Sequence, residues 1–214
     1  DHAFTALNTA FFHDGAFIHI PDDTVFENPI QLIFLYTSPS NDPVSHPRVL
    51  VITGKNSKAA IVETYGSLVG GSYFTNRVAE VVTGEGSTLE YYRIQQESEE
   101  AFHIGTTQVV QKRDSSYSSF SLDTGGKLVR NNLNMVMGDK GSSCNVNGIY
   151  MMQGNQHVDN QVVIDHAKPN TTSRELYKGV LDDKSRAVFN GSIIVRKGAQ
   201  HTDSRQDNKN LLLT

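Results

Sequence analysis

The chain lacks tryptophan altogether and has one cysteine, Cys144, among its 214 residues. A lone thiol excludes an internal disulfide framework and suits a reducing, cytoplasmic compartment. No stretch approaches the roughly 18 consecutive apolar residues of a membrane span. No excess of basic charge is present either: 19 Lys and Arg stand against 23 Asp and Glu, a formal net charge of −4. Such a surface argues against duplex nucleic acid as the main partner. Asp1-His2-Ala3-Phe4 shows neither a basic nor an apolar leader segment, so no signal peptide is read there, and the missing Met suggests a fragment. Helical periodicity is also scarce, because Pro, Gly, Ser, Asn and β-branched residues interrupt nearly every window of about twelve.

What remains is a series of short β-forming runs in a chain long enough for one core domain, 1–214. Ala16–Ile20 and Ile30–Tyr36 read as strands, with turns at Pro21–Thr24 and Glu27–Pro29. Thr37–Pro47 reads as an exposed Pro/Ser/Asn loop, so residues 1–47 form an entry segment; residues 1–10 carry no assignment. From Arg48 onward strands and turns alternate regularly. Runs at Val49–Ile52, Ala59–Glu63, Val78–Val82, Leu89–Ile94, Thr106–Gln111, Tyr117–Leu122, Leu133–Met137, Cys144–Met152, Val162–Ile164 and Arg174–Tyr177 are separated by Gly, Asp, Asn and Ser. Ala187–Gly191 and Ser192–Val195 follow. Asn147-Gly148 and Asn190-Gly191 lie inside apolar runs and read as bends.

A small hydroxyl residue closes alternate turns at Ser57, Ser87, Ser115, Ser142 and Thr172, at spacings of 30, 28, 27 and 30 residues. An internal period in that range marks a solenoid or array. The absence of helix-length segments excludes the helical repeats, and a propeller blade would need about 40 residues. The remaining architectures are an all-β solenoid with one coil per period and an antiparallel sandwich; the repeating corner chemistry favours the solenoid. A solenoid has open ends, and Asn210-Leu211-Leu212-Leu213-Thr214 reads as an edge strand that invites another chain. Asn210, Leu211, Leu212 and Leu213 are therefore the candidate partner interface.

Candidate ligands are few. The eight histidines (His2, His13, His19, His46, His103, His157, His166 and His201) show no i,i+4 zinc spacing, and no C-x-x-C joins them. Asp165-His166 places a carboxylate beside an imidazole, a pair that could orient a metal ligand; a corner histidine hydrogen-bonded to backbone is the plainer reading. His201 stands in a similar position. Cys144 is either a small buried hydrophobe or a functional thiol. No nucleophile elbow and no P-loop is present. Acidic corners at Asp139, Asp182, Asp183, Asp203 and Asp207 admit a carbohydrate-active β-helix enzyme, although Asp is the ordinary turn residue.

One resemblance adds to this. Ser173–Leu181 (SRELYKGVL), Ser185–Gly191 (SRAVFNG), Gln200–Gln206 (QHTDSRQ) and Asn208–Leu213 (NKNLLL) resemble the core of the SufB/SufD family of the SUF iron–sulfur cluster assembly system. Leu7–Ala16, Ala101–Gln108 and Gly126–Asn134 match as well. Phe26–Phe34 and Leu128–Asn131 are similar to the SufD branch, with a SufB paralogue as the alternative. The resemblance implies a right-handed parallel β-helix. It also implies a non-enzymatic scaffold that pairs with a SufB-like subunit and works with a SufC-like ATPase. An iron–sulfur cluster would be held transiently in the full complex, with none bound firmly by this chain. The family's Cys-x-His segment and helical domain follow the Leu-Leu-Leu strand, beyond Thr214, so no residue here inherits that ligand role. Pairing of two copies through the same edge is a further expectation.

Overall fold

In an extended chain successive side chains point to opposite faces, so the alternation of apolar and polar residues decides which side of each strand is buried. The computed structural model describes residues 3–37 and 43–213. Asp1, His2, loop residues 38–42 and Thr214 lie outside the described residues. Two sheets result, and the strands from β4 onward alternate between them. The first contains β1 (Gly15–Ile20), β4 (Arg48–Thr53), β6 (Phe74–Thr83), β8 (Phe102–Gln111), β10 (Leu128–Met137), β12 (His157–His166) and β14 (Arg186–Val195), stacked in that order. The second contains β2 (Ile30–Tyr36), β5 (Lys58–Ser67), β7 (Thr88–Gln96), β9 (Ser116–Asp123), β11 (Ser143–Met152), β13 (Thr172–Leu181) and β15 (Asp203–Leu212). Every pairing is parallel, as between β10 and β12 or β11 and β13. The architecture is the parallel β-solenoid that the period predicts, with two strands in each coil.

The corners explain the period. The side-chain hydroxyls of Ser57, Ser87, Ser115 and Ser142 each donate to the carbonyl three residues back, at 2.8, 2.8, 2.7 and 3.1 Å. The next members of the series are Thr171 and Thr202, at 3.2 and 3.0 Å. Thr171 thus replaces the expected Thr172, which opens β13 instead. The residue before each hydroxyl is left-handed: Asn56, Gly86, Asp114, Gly141, Asn170 and His201 have φ of 52, 65, 53, 75, 59 and 58°. Gly, Asn and Asp tolerate that region best, and His more readily than most.

The expected bends at Asn147-Gly148 and Asn190-Gly191 do not occur, because β11 and β14 run straight through them. Gly148 makes room for a neighbouring ring. A Cβ there would stand 2.3 Å from Cε1 of Tyr177, its register partner on β13. Gly179 does the same for Tyr150, whose Cε2 would be 2.1 Å away. Tyr150 leans across this gap and its hydroxyl donates to Asn210 Oδ1 at 2.5 Å, two coils along the same sheet.

Two elements were not expected. Ala3–Phe11 forms α1, which lies on the outer face of β6. Asn8 is fully buried there and donates to the carbonyls of Pro47 and Asn76 at 3.1 and 2.9 Å. Within the expected loop, Val44–Ser45 (β3) pairs with Phe74 and Thr75, adding an eighth strand to the first sheet. No helix among the described residues is long and apolar enough to cross a membrane.

Candidate functional site

The sequence-derived candidates fall in different settings. Cys144 faces the interior of β11 at 1% exposure. Burial, reinforced by Glu175, pushes its thiol up to about 12. It is therefore a protonated core residue at neutral pH. His166 closes β12 fully buried, its Nδ1 2.7 Å from Thr171 Oγ1 and its Nε2 2.9 Å from Ser173 Oγ. Burial lowers its pKa against the pull of Asp165. Asp165 turns to the opposite face and receives Arg196, whose Nη2 is 2.7 Å from Oδ2. Strand alternation thus parts the two side chains that the sequence set side by side. His201 is an exposed left-handed corner residue. Ser173 is the register partner of Cys144 and bonds His166, so those two lie near one corner; His201 stands on the following turn. No group of three or more His, Cys, Asp or Glu among the described residues is arranged to hold a metal ion.

The edge formed by β14 and β15 is exposed. On their outer sides β14 and β15 have no strand partner among the described residues. Val188, Ile194 and Val195 are exposed, and Leu211, Leu212 and Leu213 are 57, 64 and 56% exposed. Asn210 is exposed as well, and its side chain is held by Tyr150 and Asn208. Some of the basic residues nearby form ion pairs, as in Arg174–Asp203 and Arg205–Asp207.

Sequence reasoning missed a set of buried polar residues inside the solenoid. Glu63 accepts from Arg77 Nε at 2.9 Å and from the hydroxyls of Tyr65 and Tyr91 at 2.5 and 2.6 Å. Burial alone would raise Glu63, but Arg77 and the hydroxyls outweigh it and hold the carboxyl below its usual range. Arg93 Nη2 donates to Asp123 Oδ2 at 3.0 Å, and Asn131 Nδ2 bridges Asp123 to Asn160 at 3.0 and 2.9 Å. Glu97 accepts from Thr75 at 2.7 Å and meets His103 Nδ1 at 2.7 Å. Glu175 is 3% exposed with no hydrogen-bond partner on either oxygen. Burial pushes it up to about 7. Parity was the available signal, since Ile61, Glu63 and Tyr65 share one face of their strand. A concavity of about 410 Å³ lies beside Phe34, Tyr36, Tyr73 and Glu97.

The fold and these sites define a parallel β-solenoid with a polar network in its interior and, among the described residues, an apolar edge at β14 and β15 without an outer strand partner. Family models then place it. Residues 34–214 match the SUF system FeS cluster assembly SufBD core domain, and residues 1–32 match the SufBD protein N-terminal region. The chain belongs to the SufBD family of iron–sulfur cluster assembly proteins. It is 32% identical to an iron–sulfur cluster assembly SufBD family protein of Synechocystis, over 99% of this chain and 48% of the relative. It is also 32% identical to the chloroplastic protein ABCI7 of Arabidopsis thaliana, over 98% of this chain and 46% of the relative. Similarity to the iron–sulfur cluster assembly protein SufD of Escherichia coli is 26%, over 86% and 44%. The chain spans about half the length of the curated relatives it matches.

Proposed function

We propose that this chain is the β-solenoid core of a SufD-like scaffold subunit for iron–sulfur cluster assembly. In this reading it pairs with a SufB-like subunit and works with a SufC-like ATPase in the cytoplasm. It performs no catalysis itself and holds the cluster only as passing cargo of the complex. The observation that carries the reading is the match of residues 34–214 to the SufBD core domain on a parallel β-solenoid. Among the described residues β14 and β15 have no outer strand partner, and with exposed Val188, Ile194, Leu211 and Leu213 they offer a ladder and an apolar rim to a second solenoid. The relatives that bear the SufD name, in Escherichia coli and Bacillus subtilis, support SufD over its SufB paralogue. The engaged nitrogens of His166 and the buried, protonated thiol of Cys144 support a role in shape rather than in ligation.

The test is co-purification of the full-length protein with SufB-type and SufC-type subunits, followed by anaerobic iron and sulfide analysis. A stable complex that weakens when Leu211 and Leu213 become Lys, with the variant still folded, supports the reading. A full-length protein that ignores both subunits overturns it. A homodimer through the same edge would replace the hetero-pairing with self-pairing.

A further inference from the structure

Most interior glycines are required by a neighbour, but Gly105 in β8 is not. At Gly148, Gly179 and Gly191 a Cβ would overlap protein atoms at 2.3, 2.1 and 2.1 Å. At Gly105 the nearest atoms are His103 Nε2 at 3.3 Å, Arg77 Cδ at 3.6 Å and Asn131 Oδ1 at 3.6 Å. No positive φ demands glycine there either. Glycine inside a strand weakens it, and where no backbone strain explains it, the residue marks the close approach of something else.

A cavity of about 50 Å³ opens beside Gly105. Two buried atoms of its lining residues, Asn131 Oδ1 and Arg93 Nη1, lack a hydrogen-bond partner, and so does His103 Nε2 beside Gly105; of the lining pair, Arg93 Nη1 has a charged neighbour. It faces Asp123 at 2.8 Å, an ion-pair distance without hydrogen-bond alignment. Such orphans are costly in a low-dielectric interior and call for a guest. We propose that this cavity is a binding site for ordered water that joins two of the solenoid's interior polar networks.

The hydrogen-bonding inventory fits water. Arg93 offers a donor and Asn131 Oδ1 an acceptor. His103 Nδ1 lies 2.7 Å from the Glu97 carboxylate, which leaves Nε2 as the ring nitrogen facing Gly105. A buried water makes about three bonds, and this volume holds about one or two waters. An anion fits less well. The Arg77 and Arg93 charges are already met by Glu63 and Asp123, and Asn131 presents its oxygen. The Glu63–Arg77–Tyr91 group and the Arg93–Asp123–Asn131 group both border the cavity, and water between them links one network to the other.

High-resolution crystal structures of the full-length protein and of Gly105→Ala test this. The expected result is a water peak within hydrogen-bonding distance of at least two of the three atoms, displaced by the alanine methyl in the variant. A dry cavity, or side chains turned to pair with one another directly, would overturn the proposal. So would an anomalous peak there after a bromide soak. If Gly105→Ala does not fold, oxygen-17 relaxation dispersion on the wild type decides. Long-lived internal water supports the site, and its absence overturns it.

Discussion

Glu175 makes the stability of this solenoid depend on pH in an unusual direction. Its carboxyl lies between Val146 on β11 and Gln206 on β15, and burial raises it from 4.5 to about 7. By strand alternation the titratable side chains sharing its compartment are Cys144 on β11, Tyr177 on its own strand and His166 on β12; β14 and β15 send none inward. Between about pH 4.5 and 7 the folded state binds the proton that the unfolded state has lost. Stability contributed by protonated Glu175 is therefore complete below pH 4.5 and falls as pH rises toward 7. A shift of about 2.5 pH units at roughly 1.4 kcal/mol each corresponds to roughly 3 kcal/mol. Glu175→Gln keeps the shape and removes the titration. Urea denaturation of both proteins from pH 4.5 to 8 should show equal stability at the acid end, with the variant gaining up to roughly 3 kcal/mol by pH 8. Subtracting one profile from the other cancels every other titrating group. A difference that stays flat with pH, or a variant weaker at pH 8, would refute the reasoning.

Further tests address the packing. Gly179→Ala forces a methyl against Tyr150 and Asn210 and should cost about 1–3 kcal/mol, with part recovered when Tyr150→Ala is added; thermal denaturation of the single and double variants measures both. Arg77→Met strands the Glu63 carboxylate in the interior and should cost about 3–5 kcal/mol. Replacing Glu63 by Gln in the same chain should restore a share of that loss. Cys144 should resist an alkylating reagent at pH 8 in the native protein and react fully in denaturant, because its thiol is both buried and protonated; rapid native labelling, read by mass spectrometry, would contradict the placement.

The period and the corners were legible in the sequence because both arise from local chemistry. A left-handed Asn, Gly, Asp or His followed by a hydroxyl residue marks each turn from the first sheet to the second after β4, and parallel stacking copies it from coil to coil. The error at Thr172 was one residue, and it arose because Thr171 and Thr172 are adjacent hydroxyls of which only the left-handed Asn170 selects the first. The glycines of β11 and β14 were misread because their cause lies on other strands: Tyr177 for Gly148, and Gln206 for Gly191. Helix α1 spans only nine residues and owes its place to Asn8 and Phe4 meeting β6, contacts that no local pattern shows. Among the candidate ligands, the separation of Asp165 from His166 was implicit in strand alternation. The inward Glu63, Arg77 and Glu175 also sit at positions that parity assigns to the core, but charged residues are ordinarily expected outside.

The reach of Tyr150 over Gly179 bears on how such a stack comes apart. Repeats that touch only their nearest neighbours can detach singly, so end repeats fray without disturbing the middle. Here a side chain skips one coil and grips the next, as a brick laid across a joint ties two courses. Strand β15 cannot peel away without releasing a contact rooted in β11, and β13 lies trapped between them. The cooperative unit at this end of the solenoid is thus three strands deep, and hydrogen exchange should find their amides opening together rather than in sequence.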